Sequence, residues 1–451
     1  MQELLDDAAR RAIRYLDGLA QRGVAPDAAA LARLPQLDGP LPEQPCTPGE
    51  TLGLLDDVAS PATMASAGGR FFGFVIGGAL PVTVASNWLT TAWDQNAALQ
   101  GPARAVAALE ATALRWMLDL LGLPPDCAGA FVTGATMANF SALAAARHAV
   151  LASAGWSVEA DGLFGAPPIT VVIGEEAHPT LAKSLGLLGL GRSRVLRVPV
   201  DGQGCMRADR LPALAGPAIV CLQAGNVNTG AFDPFEELVA RAHEAGAWVH
   251  VDGAFGLWAA ASGEFAPDVA GLALADSWAT DAHKWLNVPY DSGLAFVRDA
   301  GALRAAMAIS ADYLPVGDDR NPSDYTPELS RRARGVDVWA ALRTLGRSGV
   351  ASMIERCCAH ARRFAHELHE AGFEILNDVV LNQVLVSVGD ADTTLRLIAA
   401  LQADGACWCG ATCWQGRTAM RISVSSWATT DEDVTLSVAA MKRIARGLRS
   451  G

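Results

Sequence analysis

The sequence predicts an α/β protein with a large, mostly parallel sheet and a smaller C-terminal α/β domain. Three observations carry that expectation. Between about residues 100 and 300, short runs rich in Val, Ile and Ala alternate with helical patterns. Those runs are apolar throughout rather than at every second residue, as strands buried on both faces must be. The chain also has 451 residues, 51% hydrophobic and 18% charged, which is more than one hydrophobic core ordinarily holds.

Residues 1–70 mix helical patterns with proline-rich connectors such as "LPQLDGPLPEQPCTPGE" and are expected to form a helical arm. The large domain is expected over 71–310. It begins with the uncharged run "FFGFVIGGALPVTVASNWLTTAW", long enough to cross a bilayer. Three glycines, a mid-run proline and scattered Ser, Thr and Asn argue instead for a buried globular segment. "GAFVTG" then reads as a strand leading into a helix from about Met137 to Leu151. "ITVVIG" leads into "HPTLAKSLGLLG", and "SRVLRVPV" and "PAIVCLQAG" follow. The helix "DPFEELVARAHEAG" has Asp233 placed as N-cap, Pro234 at the first position and Gly246 as terminator. "AWVHVD", "ADSWATD" and "GLAFVRD" complete the set. Residues 311–345, opening on "ADYLPVGDDRNPSDYTPELSRRAR", read as a long loop and connector of the kind that often carries function. A long helix is expected over about Val336–Ala371, with a break near Gly346–Gly349. The small domain, 346–451, alternates "FEILND", "QVLVSV", "TTLRLIAALQADG" and "TAMRISVSS" before a closing helix.

A net charge of −13 argues against nucleic-acid backbones and anionic membranes as main partners. The first twenty residues are charged throughout, unlike a secretory signal. Nine cysteines, an odd count, suit reduced thiols in a cytoplasm. Cys407, Cys409 and Cys413 have no neighbouring histidine and no second pair at ligand spacing, so no metal is expected there.

Lysine is scarce. Of 35 basic residues only Lys183, Lys284 and Lys442 are lysines, leaving 32 arginines. Arginine can replace lysine on solvated faces, but it stays protonated and cannot form a Schiff base. Lys284 lies in "TDAHKWLNVPYDSG", between His283 and Trp285. Burial and neighbouring positive charge there could give an imine-forming amine, or Trp285 could simply shelter a surface lysine. Three other places at strand ends bear on it. Gly134, Ala135 and Thr136 turn a strand into a helix N-terminus, which is an anion cradle or a plain turn. His178 follows "ITVVIG" as a ring to stack with or as a helix cap. Asp252 ends "AWVHVD" as the partner of a cationic ring nitrogen or as a turn cap. Together the four meet the demands of pyridoxal 5′-phosphate.

The stretches "HVDGAFGLWA", "DAHKWLNVPYDSG", "RFFGFVIGG" and "GNVNTGAFDP" resemble the group II pyridoxal-phosphate-dependent amino acid decarboxylases, which include the aromatic-L-amino-acid and glutamate decarboxylases. The likeness runs from about Gly68 to the C-terminus. It implies the aspartate aminotransferase-like fold (fold type I), decarboxylation of a small-molecule L-amino acid to its amine, and a homodimer with a shared active site. It further implies a Schiff base on Lys284, His178 stacked on the pyridine ring, Asp252 at its nitrogen and Ala254 on the opposite face. Gly134, Ala135, Thr136 and His283 would surround the phosphate, and Asn228 would stand near the phenolic oxygen. Tyr325 would protonate the product carbon, with Tyr313 as rival, and a tyrosine in that loop favours decarboxylation over aldehyde synthesis. Arg421 matches a substrate-carboxylate arginine or is an exposed strand residue. Three departures bear on substrate and reaction: Asp281-Ala282 replaces Asn-Pro, Pro179 follows the stacking histidine, and "GNVNTG" replaces a threonine-rich stretch. Carbon–carbon lyase, aminotransferase and aldehyde synthase chemistry are the alternatives.

Overall fold

A computed structural model describes residues 1–309 and 320–449. The chain divides into two compact units. One comprises Ala79–Ala359 and Asn377–Gln383; the other comprises Met1–Gly78, His360–Leu376 and Val384–Gly451.

The larger unit is built on seven strands: β1 Ala128–Val132, β2 Thr170–Gly174, β3 Leu196–Val198, β4 Ala218–Gln223, β5 Trp248–Asp252, β6 Ser277–Asp281 and β7 Gly293–Val297. Their order is β1-β7-β6-β5-β4-β2-β3. Pairing is parallel from β6 through β3, whereas β7 runs antiparallel to both β1 and β6. Strands β1, β5, β6 and β7 are buried along their whole length, and β5 and β6 bury polar side chains at His250, Asp252, Ser277, Thr280 and Asp281. Helix Ala135–Ser153 packs on the sheet through Leu143 and through Ala142, Ala144, Ala145 and Ala146, whose small side chains allow close approach. The result aligns the carboxyl ends of β1, β2, β4, β5 and β6, where ligands gather in such sheets. Gly293 pairs with both Val132 and Asp281, and a Cβ there would strike the Gly134 backbone. Glycine at 293 therefore lets β7 run against the turn that follows β1.

The uncharged run 71–93 does not form one span. Its second half is the helix Pro81–Trp93, and among the described residues no helix is long and apolar enough to cross a membrane. The helix Gly335–Glu370 kinks at Gly346, whose φ of 60° lies in the left-handed region that glycine tolerates.

A second sheet, almost wholly in the smaller unit, holds β8 Glu374–Ile375, β9 Gln383–Ser387, β10 Gly410–Trp414 and β11 Arg417–Ser423 in the order β10-β11-β9-β8. In this unit the N-terminal stretch lies with the C-terminal strands. Val24 N–H donates to Gly405 O at 2.9 Å, Phe72 N–H donates to Trp408 O at 2.8 Å, and Phe71 stacks on Trp408. These partners lie more than three hundred residues apart in sequence, so no local pattern announces them. Cys407 and Cys409 are buried here and Cys413 is exposed.

Asp233 also differs from expectation. The helix runs Phe235–Glu244 with Pro234 before it, and Asp233 is turned inward instead of capping it. Its Oδ1 accepts from Met206 N at 2.6 Å and its Oδ2 from Gln223 N at 2.7 Å, tying a loop to the end of β4. Burial pushes this carboxyl up to about 6, against the lowering effect of its two N–H donors. The folded chain thus holds the proton more tightly than the unfolded one. Stability from this group is therefore greatest below the unfolded value and falls as pH rises through the folded one. Asp233→Asn removes the dependence. Relative to the parent, the variant is expected to gain about 2–3 kcal/mol on going from about pH 4 to about pH 7. Denaturant melts across that window check it, and a constant difference would refute it.

Candidate active site

A cavity of about 340 Å³ opens at the carboxyl ends of these strands, lined in part by Gly134, Thr136, His178, Asp252, Asp281 and Lys284. Each polar group arrives by a short route from a rigid element. Gly134 links β1 to the helix Ala135–Ser153, whose first N–H groups have no partner within the helix. His178 caps the helix Pro179–Leu187, its Nδ1 2.7 Å from Thr180 Oγ1. Asp252 ends β5 and is only 6% exposed. Its Oδ1 accepts from Ala254 N at 3.2 Å and its Oδ2 from Asn139 Nδ2 at 3.1 Å.

Lys284 follows β6 by three residues. Its Nζ lies 3.1 Å from Asp281 Oδ2. Asp281 Oδ1 accepts from Ala135 N at 2.5 Å, so this carboxylate joins the lysine to the helix start. Asp281 is the first of the departures noted in the sequence. An asparagine amide could donate to a phosphate at this turn, whereas a carboxylate can only accept. His283 Nδ1 accepts from Ser292 N at 3.1 Å, which leaves Nε2 to carry the proton. Burial lowers the His283 pKa, with the nearby Asp281 opposing, and its ring packs 4.3 Å from that of Tyr290.

The structure thus brings Gly134, Ala135, Thr136, His178, Asp252, Ala254, His283 and Lys284 to one cavity. Two predicted residues of the larger unit, Asn228 and Tyr325, do not line it. Asn228 is buried but does not line the cavity; Val227 and Gln223 do. A tight turn explains the difference, because Asn226 Oδ1 accepts from both Asn228 N and Thr229 N and fixes the segment's direction. Tyr325 closes a short 3-10 turn, Pro322–Tyr325. It packs against the apolar cluster around Ala128 and Leu303, with the Arg320 guanidinium 4.4 Å above its ring. It does not line this cavity. Arg421 lies on β11 in the smaller unit, where burial lowers its pKa. Tyr313 falls outside the described residues.

Sequence reasoning passed over Tyr290, which lines the cavity and whose phenol burial pushes up to about 12. It also passed over Gln223, Phe255 and Asp281 as lining groups. Only Asp281 had left a signal, as a departure beside Lys284.

An amine, a carboxylate, an imidazole and a helix N-terminus around one cavity fit a phosphorylated, aldehyde-bearing pyridine. Fold and site define the class of α/β proteins that hold pyridoxal phosphate. The chain belongs to the pyridoxal-dependent decarboxylase family: residues 48–388 match the "Pyridoxal-dependent decarboxylase conserved domain". It is 28% identical to an aromatic-L-amino-acid decarboxylase of Bacillus atrophaeus over 274 residues, 58% of this chain and 53% of that protein. It is 26% identical to tryptophan decarboxylase 1 of Oryza sativa subsp. japonica over 321 residues, 65% of this chain and 62% of that one. The chain thus spans between about half and two-thirds of the length of these curated relatives. In fold it is similar to the crystal structure of Oryza sativa TDC with PLP and tryptamine, with a TM-score of 0.92 at 22% identity over 99% of this chain and 97% of that one. It is also similar to mouse CSAD, with a TM-score of 0.90 at 20% identity over 98% of each chain.

Proposed function

We propose that this chain decarboxylates an L-amino acid to its amine with pyridoxal 5′-phosphate held at Lys284. The observation that carries the reading is the convergence of Lys284 and Asp252 on one cavity beside a helix N-terminus. Lys284 would supply the amine that bonds the cofactor's aldehyde, Asp252 would face its ring nitrogen and His178 its ring. Thr136 and the helix start would receive its phosphate. When bound, the cofactor supplies an electron sink for the bond broken at the substrate's Cα.

The remaining work falls to this chain's side chains. With the cofactor and substrate bound, the Lys284 amine would stand beside the substrate's Cα, where it could carry a proton. Asp252, held by Ala254 N–H and Asn139 Nδ2, would present its carboxyl group to the ring nitrogen. Phe255 and Val227 supply apolar wall that limits water at the reacting carbon. We also propose that two copies of the chain associate. The exposed Trp88, Leu89 and Trp93 of helix Pro81–Trp93 and Ile13 and Leu16 of the N-terminal helix leave apolar surface for a partner.

Carbon dioxide release from a panel of amino acids tests the reaction, with amine and aldehyde products measured together. Amine in step with carbon dioxide is expected. Aldehyde with hydrogen peroxide, or no gas from any amino acid by a cofactor-loaded protein, would overturn it.

A further inference from the structure

Asp252 is the end of a buried polar chain whose other members do not line the cavity. Trp248 Nε1 lies 2.9 Å from Ser277 Oγ, and Ser277 Oγ lies 2.9 Å from His250 Nδ1. His250 Nε2 lies 2.8 Å from Asn139 Oδ1, and Asn139 Nδ2 lies 3.1 Å from Asp252 Oδ2. Asn139, His250 and Ser277 are each 0% exposed.

Donors and acceptors can be assigned in one consistent direction. A carboxylate only accepts, so Asn139 must turn its amide N–H to Asp252 and its oxygen to His250. His250 therefore carries its proton on Nε2 and leaves Nδ1 bare. Ser277 donates to that Nδ1 and accepts from the Trp248 indole, which can only donate. Every link is satisfied, and aligned dipoles of this kind reinforce one another. Burial lowers the His250 pKa to about 4, so the ring is neutral near pH 7. The chain thus brings no second cation to compete for the carboxylate.

Such an arrangement is costly as a way to fill a core. Apolar side chains would pack the same space without the risk of an unsatisfied buried group. What the polar version adds is orientation. With Ala254 N on Oδ1 and Asn139 Nδ2 on Oδ2, rotation of the carboxylate is blocked at both oxygens.

We propose that Asn139 and His250 are positioning residues that aim the Asp252 carboxylate at the cofactor's ring nitrogen. This rests on the cofactor reading given above, and the test separates the two. Apoprotein is titrated with pyridoxal phosphate and with its 1-deaza analogue, in which C–H replaces the ring nitrogen, following tryptophan fluorescence. Asn139→Leu and His250→Phe are expected to bind pyridoxal phosphate about tenfold more weakly and the analogue as the parent does. His250→Gln, which can still offer an N–H to Asn139, is expected to stay near the parent with both ligands. Should Asn139→Leu not fold, Asn139→Ala is read the same way.

Equal weakening toward both ligands would assign the chain to packing and overturn the proposal. No weakening in either variant would also overturn it. A parent that binds pyridoxal phosphate no better than the analogue would overturn the Asp252 assignment and the relay together, leaving Lys284 untouched. A parent that binds neither ligand would overturn the cofactor reading itself and the relay with it.

Discussion

Replacing Lys284 by arginine is expected to lower kcat/KM by about 10³-fold or more while leaving the fold intact. The two effects separate because the substitution keeps the charge and removes the nucleophile. Arginine can still pair with Asp281, which Lys284 Nζ meets at 3.1 Å, so the carboxylate on Ala135 N keeps a cationic neighbour. Its guanidinium stays protonated at any pH at which the protein folds and cannot add to an aldehyde. The melting midpoint should therefore barely move. Carbon dioxide release gives the rate, and borohydride reduction followed by peptide mapping gives the attachment point. The chain has only two other lysines, Lys183 and Lys442, on the helices Pro179–Leu187 and Asp431–Arg449, which makes the map unambiguous. Activity within tenfold of the parent, or a label on Lys183 or Lys442, would refute the assignment of Lys284.

The same lysine shows where sequence was sufficient. A parallel sheet places its ligands at strand ends, so Gly134, His178, Asp252 and Lys284 could be grouped from four apolar runs without knowing their distances. Each sits within four residues of the end of its strand, and the strand signal is strong because both faces are buried. The relay behind Asp252 was illegible for the converse reason. Asn139 and His250 are 111 positions apart, and each looks like an ordinary member of its own helix or strand. Asp233 was misread because a carboxylate before "PFEEL" suits a helix cap. Only the three-dimensional position of Met206, 27 residues upstream, turns it inward. Near Asn228, Val227 lines the cavity, and the turn fixed by Asn226 sets the direction of that segment, which the sequence did not reveal. Periodicity and caps report on contacts within a few residues, whereas second partners are set by packing.

Arg331 extends that contrast from the site to its support. In the sequence it is one arginine in the polar segment "LSRRARG". In the structure its side chain is 0% exposed, and Nη1 donates to Glu110 Oε1 and Oε2 at 3.1 and 2.9 Å and to Ala97 O at 2.9 Å. Nη2 donates to Phe131 O at 2.8 Å, on the strand that delivers Gly134 to the cavity. Arg331→Met is expected to cost about 3–5 kcal/mol, because it strands the buried Glu110 carboxylate. The nearest remaining cation is Arg320, with Nη1 4.0 Å from Glu110 Oε1. Much of the loss belongs to that uncompensated charge rather than to the pair's own worth. The double variant Glu110→Leu/Arg331→Met should therefore be more stable than Arg331→Met alone, although it has lost both partners. Denaturant unfolding of the parent, the single variant and the double variant measures this. A double variant less stable than the single one would mean that the hydrogen bonds to Ala97 and Phe131, and not the charge on Glu110, account for the place of Arg331 in the fold.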